Sequence, residues 1–194
     1  MDRKTLLVGI AAFLLIVLVA VGTLLFSKTA SFHGTTYGEP YPAAPEIALT
    51  QGNGSSFQLS GMRGKVVLVF FGYTNCPDEC PLTMAKLKQT FTLLGAQSTD
   101  AQVLFITTDP IRDNADVLQK YTAQFNSTFI GLTGTLEQMQ KVWNGYGVVA
   151  ENGGATHSNR VYVVDRNGML RLTFPYEMEP DAMASDIKIL LSEK

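Results

Sequence analysis

The chain has 194 residues, a formal net charge of −2 at pH 7 and a hydrophobic share of 46%. That apolar share is enough for the core of one domain, and the near-neutral charge without a basic run excludes a nucleic-acid-binding protein. The sequence has no low-complexity segment and no internal repeat, which excludes a repeat architecture.

The N-terminal residues predict a membrane anchor. Residues 6–26 contain no charged side chain, and about 20 apolar residues suffice for a helix to span a bilayer. Arg3 and Lys4 precede this stretch, so the positive-inside rule leaves the N-terminus in the cytoplasm. A cleaved signal peptide is the alternative, but the stretch is longer than a signal peptide's apolar region and no Ala-x-Ala site follows it. We expect one transmembrane helix within residues 1–28, which anchors a single-pass protein in the bacterial inner (cytoplasmic) membrane with its domain facing the periplasm.

The folded domain is predicted at residues 45–194, after a linker of residues 29–44. The linker combines Gly, Ser, Thr, Tyr and Pro without an apolar period, and its His33 is expected to be solvated. The domain begins with two short alternating segments on either side of Gly52-Asn53-Gly54, which predict an N-terminal hairpin within residues 45–59.

Strands and helices alternate through the rest of the domain. Short apolar runs predict buried strands, and apolar residues spaced three and four apart predict helices. The predicted strands are residues 65–71, 103–107 and 128–132, followed by a hairpin of residues 161–164 and 169–174 around Asn167-Gly168. The predicted helices are residues 81–94, 113–125 and 180–191, with a further helix capped by Thr135 and Gln138. This order predicts an α/β domain in which a central sheet carries helices on both faces.

Both cysteines of the chain, Cys76 and Cys80, lie between the first long strand and the helix that follows it. Pro77-Asp78 favours a turn, and Pro81 is predicted as the first helical residue, so Cys80 is expected at or next to the N-cap. Backbone N–H groups and the helix dipole favour a thiolate there. The spacing lets the two sulfurs meet, either on one soft metal ion or in a disulfide. A purely structural disulfide is disfavoured, because so short a loop constrains the unfolded chain weakly.

His157 is the histidine that lies inside the predicted domain, in a polar loop just before the strand of residues 161–164. Paired cysteines that end the first long strand and open a helix are typical of a thioredoxin-like fold. In that fold the residues before the corresponding strand approach the cysteine loop. A loop histidine is usually only solvated, but an imidazole that faces two thiols completes a three-ligand site for a soft metal. Zinc with a water molecule would also fit these ligands.

Three motifs resemble those of the Sco/SenC family of copper proteins. They are residues 71–81 with the two cysteines, the segment Thr107-Thr108-Asp109-Pro110-Ile111-Arg112-Asp113, and His157-Ser158 with the strand and turn that follow. The resemblance extends over the whole domain and includes the anchor. It implies a thioredoxin-like central sheet and a copper site, for Cu(I) or Cu(II), whose ligands are Cys76, Cys80 and His157.

The resemblance also implies a function. A membrane-anchored copper chaperone of this family aids assembly of the binuclear copper centre of cytochrome c oxidase. The expected partners are the copper-centre subunit of the oxidase, another periplasmic copper chaperone, and the membrane through the N-terminal helix. The Asp109-Pro110 segment is interpreted either as a simple helix cap or, by the resemblance, as a partner-docking loop.

The alternative function is a thiol–disulfide oxidoreductase that reduces the cysteines of a copper-acceptor protein, with Cys76 and Cys80 as its catalytic residues. The chain lacks the Cys-x-x-Cys spacing typical of such enzymes, and His157-Ser158 stands where thioredoxins have a proline. A peroxidase is disfavoured further, because Thr74-Asn75-Cys76 does not match Thr-x-x-Cys. A metallochaperone is favoured over an enzyme, and enzymatic thiol reduction is left open.

Overall fold

The computed structural model of the chain describes residues 12–14, 16–17, 31–151, 154–155 and 160–193. The chain divides into two units, Met1–Ser31 and Phe32–Lys194. In the first unit, residues 12–14 and 16–17 are helical. Within the ranges given above, no helix is both long enough and apolar enough to cross a bilayer, and most of the predicted transmembrane segment lies outside them.

The second unit is built from short strands and α-helices that follow one another along the chain. The strands are β1 (Thr35–Thr36), β2 (Ala48–Gln51), β3 (Ser56–Gln58), β4 (Val66–Gly72), β5 (Ala101–Thr107), β6 (Ile130–Thr133), β7 (Ala150–Glu151), β8 (Gly154–Ala155), β9 (Arg160–Val164) and β10 (Leu170–Pro175). The helices are α1 (Glu79–Leu94), α2 (Ala115–Ala123), α3 (Leu136–Tyr146) and α4 (Pro180–Ser192).

Eight of these strands form one sheet in the order β1-β10-β9-β4-β5-β6-β2-β3, and β7 pairs with β8. At the centre, β4 runs parallel to β5, and every residue of both strands is buried. Strands covered on both faces are expected to be continuous apolar runs, which is the pattern that predicted β4. The predicted hairpins are confirmed as antiparallel pairs, β2 with β3 and β9 with β10.

Helices cover both faces of the sheet. On one face, α1, α2 and α4 pack against alternate residues of the central strands, among them Phe70 and Phe105. On the other face, α3 packs against the intervening residues, among them Val69, Phe71 and Ile106. Two separate cores result, because successive side chains of a strand point to opposite faces. The predicted thioredoxin-like sheet with helices on both faces is confirmed.

The beginning of the domain differs from the prediction. The second unit starts at Phe32, and β1 pairs with β10 at the edge of the sheet. His33 is exposed, with 55% of its side chain accessible, as expected for a solvated residue. It also donates its backbone N–H to Asp186 on α4, and its Nδ1 lies 2.8 Å from Asp186 Oδ1. Residues 32–44 of the predicted linker belong to the second unit in the structure. Residues 32–44 contact the domain because they complete the ladder of an edge strand and supply donors to a fully buried carboxylate.

Helix α1 also begins earlier than predicted. Its first residue is Glu79 and its N-cap is Asp78, so Pro81 is the third helical residue and not the first. A proline is tolerated there, because the N–H groups of the first turn have no acceptor within the helix. Cys80 consequently lies inside the first turn of α1 and not at its cap.

The capping box predicted at the start of α3 is confirmed. The backbone N–H of Gln138 donates to Thr135 Oγ1 at 3.3 Å, and the backbone N–H of Thr135 donates to Gln138 Oε1 at 2.8 Å. We expect Thr135→Ala to lower the free energy of unfolding by about 1 kcal/mol, because one N–H of the first turn loses its acceptor. Chemical denaturation measures this change. Thr135→Ser keeps the hydroxyl and should retain most of the stability; equal losses in both variants would contradict the capping role.

Candidate metal centre

The two cysteines lie on the connection between β4 and α1. Cys76 is half-buried in the loop, whereas Cys80 is buried in the first turn of the helix, and both are free thiols. The backbone N–H of Cys80 donates to the sulfur of Cys76, with 3.4 Å between the nitrogen and Sγ. The start of the helix thus brings the two cysteine side chains together.

Gly72, the last residue of β4, gives the sulfur of Cys80 its space. A Cβ atom at this position would lie 2.8 Å from Cys80 Sγ and 3.0 Å from Cε2 of Phe105. The first distance is shorter than packed atoms allow and the second is tight, so the sulfur fits against the end of β4 because the strand ends in glycine.

The two thiols differ in their ionisation. Burial tends to raise the pKa of Cys76, but hydrogen bonds from the backbone N–H groups of Asp78 and Cys80, and further from the Cys80 thiol and the Tyr73 hydroxyl, bring that pKa below its usual value. Burial raises the pKa of Cys80 far above its usual value, and the nearby charges of Cys76 and Glu79 add to this effect. Without a metal, Cys76 is therefore the thiolate-forming sulfur, and Cys80 remains a thiol.

A second loop, which follows β5, holds the cysteine loop in place. Asp113 is 1% exposed, and its carboxylate accepts hydrogen bonds from the backbone N–H of Thr74 at 3.0 Å and from the hydroxyl of Thr107 at 2.8 Å. The hydroxyl of Thr74 donates to the same carboxylate. The backbone N–H of Thr108 also donates to the carbonyl of Gly72 at 2.7 Å. Three of these bonds join the segments after β4 and β5, and the hydroxyl of Thr108 adds a fourth by donating to the carbonyl of Gly72 at 3.2 Å.

The interpretation of the Asp109-Pro110 segment as a simple helix cap is wrong, and the helix predicted to begin at residue 113 begins at Ala115. Helix α2 is capped by Asn114, whose side chain accepts from the backbone N–H of Val117 at 3.0 Å. The role of Asp113 as a support of the cysteine loop was not predicted from the sequence. A signal was present, because the segments after β4 and after β5 both carry threonines near an acidic residue, and parallel neighbours end at the same edge of a sheet.

His157, the third predicted ligand, lies outside the described residues. The strand that follows it, β9, pairs antiparallel with β4, and Val161 lies opposite Phe70. β9 therefore begins beside the end of β4 from which the cysteine loop emerges. In the part of the chain that the structure describes, no three His, Cys, Asp or Glu side chains form a group able to hold a metal ion.

An open groove of about 260 Å³ lies next to the loop after β5. Its lining includes Thr108, which is bonded to the cysteine loop, and two apolar side chains that are unusually exposed, Ile111 at 94% and Leu136 at 59%. Exposed apolar side chains around a groove are typical of a surface that contacts another molecule.

Solved structures share this fold. ScoI of Bradyrhizobium japonicum, solved with copper bound, is 29% identical with a TM-score of 0.71, and the match covers 77% of this chain and 99% of that one. The apo Sco1 protein of Thermus thermophilus is 31% identical with a TM-score of 0.74, over 85% of this chain and 100% of that one.

Sequence relatives agree with the structural neighbours. A SCO2-like protein of Rickettsia prowazekii is 31% identical over 173 residues, which cover 84% of this chain and 82% of the relative. Across four bacterial relatives, the chain spans between 65% and 92% of the relative's length. The SCO1/SenC family model matches residues 36–192, which include both cysteines and His157. The resemblance found in the three sequence motifs is thereby confirmed, and the chain belongs to the SCO1/SenC family.

Proposed function

We propose that this protein is a membrane-anchored, extracytoplasmic copper chaperone that aids assembly of the binuclear copper centre of cytochrome c oxidase. Copper, as Cu(I) or Cu(II), is bound by Cys76, Cys80 and His157. The observation that carries the proposal is the pair of adjacent free thiols at the start of α1. It occurs in a chain similar to ScoI of Bradyrhizobium japonicum, which was solved with copper bound.

The chemistry of the two sulfurs suits copper as cargo. Thiolates are soft ligands that select Cu(I), and imidazole is a ligand for copper in either oxidation state. Hydrogen bonds already favour the thiolate of Cys76, so this sulfur is available first. Cys80 has to lose its proton as the ion binds, and the positive charge of the ion supplies the stabilisation that its buried position otherwise lacks.

Asp113 is not one of the proposed copper ligands, but its buried carboxylate supports the proposed site by holding the cysteine loop in place. It bonds to Thr74 in the cysteine loop and to Thr107 at the end of β5, so the loop is attached to the most buried part of the sheet. Loss of a group that orients metal ligands typically lowers metal affinity by about 10- to 100-fold.

The groove lined by Ile111 and Leu136 supports a docking partner, for which we propose the copper-centre subunit of the oxidase. Transfer of copper requires the acceptor to approach Cys76, and Thr108 connects the groove to the cysteine loop through Gly72. Another periplasmic copper chaperone could deliver the ion to the same surface.

One observation favours a second candidate function, the reduction of a disulfide in the acceptor protein. The thiols are unequal in the way that a dithiol reductant needs: Cys76 is accessible and ionises readily, whereas Cys80 is buried. The thiolate of Cys76 would attack the acceptor disulfide and release one acceptor thiolate. Cys80 would then attack the Cys76 sulfur in the mixed disulfide and release the second, so the protein is oxidised and the acceptor is reduced.

The unequal thiols give a testable pH dependence. In the reduced, metal-free protein, we expect a thiol-alkylating reagent to modify Cys76 rapidly and Cys80 slowly near neutral pH. Since the pKa of Cys76 is lowered and that of Cys80 is raised, the midpoint of the alkylation rate against pH should lie below that of an ordinary thiol for Cys76 and above it for Cys80. Mass spectrometry of timed samples measures both rates. Cys76→Ser should abolish the fast phase; two adducts at equal rates would contradict the assigned difference.

The anchor is tested by a reporter that is active only in the periplasm, fused after Lys194. The apolar, uncharged residues 6–26 support the expectation that the fusion is active and that the chain is recovered with membranes. A matched variant without residues 1–28 should lose both properties. Recovery of the intact chain in the soluble cytosolic fraction would rule out the anchor.

His157→Ala separates the two candidate functions. The reduced protein should bind one copper ion, the Cys76–Cys80 disulfide form should bind far less, and His157→Ala should lose at least about tenfold in copper affinity. Thiol–disulfide exchange does not need an imidazole, so the variant should still cycle between dithiol and disulfide. If copper delivery is the function, oxidase assembly fails in the variant.

The control for this variant is His33→Ala, which removes a histidine bonded to Asp186 and should leave copper affinity unchanged. Copper affinity and oxidase activity of cells are measured for both variants, with a melting curve to confirm folding. Normal oxidase assembly by a correctly folded His157→Ala variant that cannot hold copper would favour the reductant instead.

A further inference from the structure

Tyr121 carries a polar group that the fold leaves without a use. The residue lies on α2, and its ring packs against Phe105 of β5 and against Phe125, with centroid distances of 5.1 Å and 5.3 Å. Its hydroxyl oxygen is buried and has no hydrogen-bond partner among the described residues. Buried hydroxyls in folded proteins are nearly always bonded, and an exception calls for a functional explanation.

The other buried tyrosines show the usual situation. The hydroxyl of Tyr146 donates to the carbonyl of Pro45 at 3.0 Å, and the hydroxyl of Tyr162 donates to the carbonyl of Tyr146 at 2.8 Å. At position 121 a phenylalanine would make the same ring contacts without a buried polar atom. The tyrosine hydroxyl is therefore retained at a cost to the copper-free protein.

Tyr121 lies near Cys80 through Phe105, whose ring packs against Tyr121 and lies beside Gly72. Tyr121 packs on the core cluster that contains Cys80 and Phe105. The Phe105 ring and the Cys80 sulfur both border the space next to Gly72, since a Cβ on Gly72 would lie within 3.0 Å of each. Burial, and after it the negative charges of Cys80, Cys76 and Asp113, raise the pKa of Tyr121, which keeps the phenol protonated as a donor.

We propose that Tyr121 is a positioning residue of the copper site, whose hydroxyl donates a hydrogen bond to the sulfur of Cys80 when that sulfur binds copper. The inference rests on the proposed function. A metal-bound thiolate sulfur carries negative charge and accepts hydrogen bonds well, whereas a neutral thiol is a weak acceptor. In the copper-free protein no sulfur of the described residues lies within hydrogen-bond distance of this hydroxyl, so the bond requires the Cys80 sulfur to shift toward Tyr121 as copper binds.

With this proposal, each cysteine sulfur receives a hydrogen bond from a different tyrosine hydroxyl. The hydroxyl of Tyr73 acts on Cys76, the more accessible sulfur, and Tyr121 would act on Cys80, the buried one. Because the hydroxyl of Tyr121 is shielded from water, its hydrogen bond to a charged sulfur would meet little competition from solvent.

The test compares Tyr121→Phe with Tyr146→Phe in the reduced, full-length protein. Tyr121→Phe removes no hydrogen bond from the copper-free protein, so we expect its unfolding midpoint to be unchanged or higher, while Cu(I) affinity, measured by competition with a chelator, falls about tenfold. Tyr146→Phe removes the bond to Pro45 on the opposite face of the sheet. Its unfolding midpoint should fall and its Cu(I) affinity should stay at the wild-type value.

A spectroscopic measurement adds a readout that a structural role would not affect. The sulfur-to-copper charge-transfer absorption of the Cu(II) form should shift in Tyr121→Phe and not in Tyr146→Phe, because only the first changes the electron density of a sulfur ligand. An unshifted band with wild-type Cu(I) affinity would overturn the proposal. So would an unfolding midpoint of Tyr121→Phe lowered as far as that of Tyr146→Phe, because the hydroxyl would then have a partner in the copper-free protein.

Cys80→Ser distinguishes the possible failures. If this variant binds Cu(I) as tightly as wild type, the proposed copper site is wrong and the role of Tyr121 is wrong with it. If Cys80→Ser binds weakly and Tyr121→Phe binds normally, the copper site stands and only the hydrogen bond from Tyr121 is excluded.

Discussion

The carboxylate of Asp113 is the group on which the candidate site depends. Between Gly72 and Glu79 the chain carries Cys76 without belonging to a strand or a helix, so its own backbone does little to fix it. A buried carboxylate is stable only when donors surround it. Here the donors are Thr74 in the cysteine loop and Thr107 at the end of β5. The hydrogen bonds that stabilise the buried charge therefore also hold the cysteine loop against the sheet.

The loop and the helix that carry the cysteines give two identical side chains different chemistry. Cys76, in the loop, receives several hydrogen bonds and remains partly accessible, whereas Cys80 is enclosed by Gly72, Phe105 and the helix. Under the proposed function this division is useful, because Cys76 would exchange the ion with an acceptor while Cys80 retains it. The same division suits a nucleophilic and a resolving thiol.

Local signals account for what the sequence could predict. The apolar run of β4, the Asn167-Gly168 turn and the capping box of Thr135 each lie within a few neighbouring residues, and all three are confirmed. The missed contacts are long-range: Thr74 and Asp113 are 39 positions apart, and His33 and Asp186 are 153 apart. The candidate site was predicted from the cysteine spacing, but its support was not, because a carboxylate's partners are set by the sheet topology. The role of His157 stays a prediction.

The buried sulfur of Cys80 has its space because Gly72 carries no side chain. The backbone of Gly72 is not in the left-handed region, so any residue could adopt its conformation, and volume alone selects glycine there. Exchanging one hydrogen for a methyl group would place a carbon 2.8 Å from Cys80 Sγ, whereas Tyr73 and Thr74 next to it contribute side-chain hydrogen bonds to the site. Substitution of Gly72 is thus restricted by the space that the Cys80 sulfur occupies, although glycine itself contributes no side chain to the site.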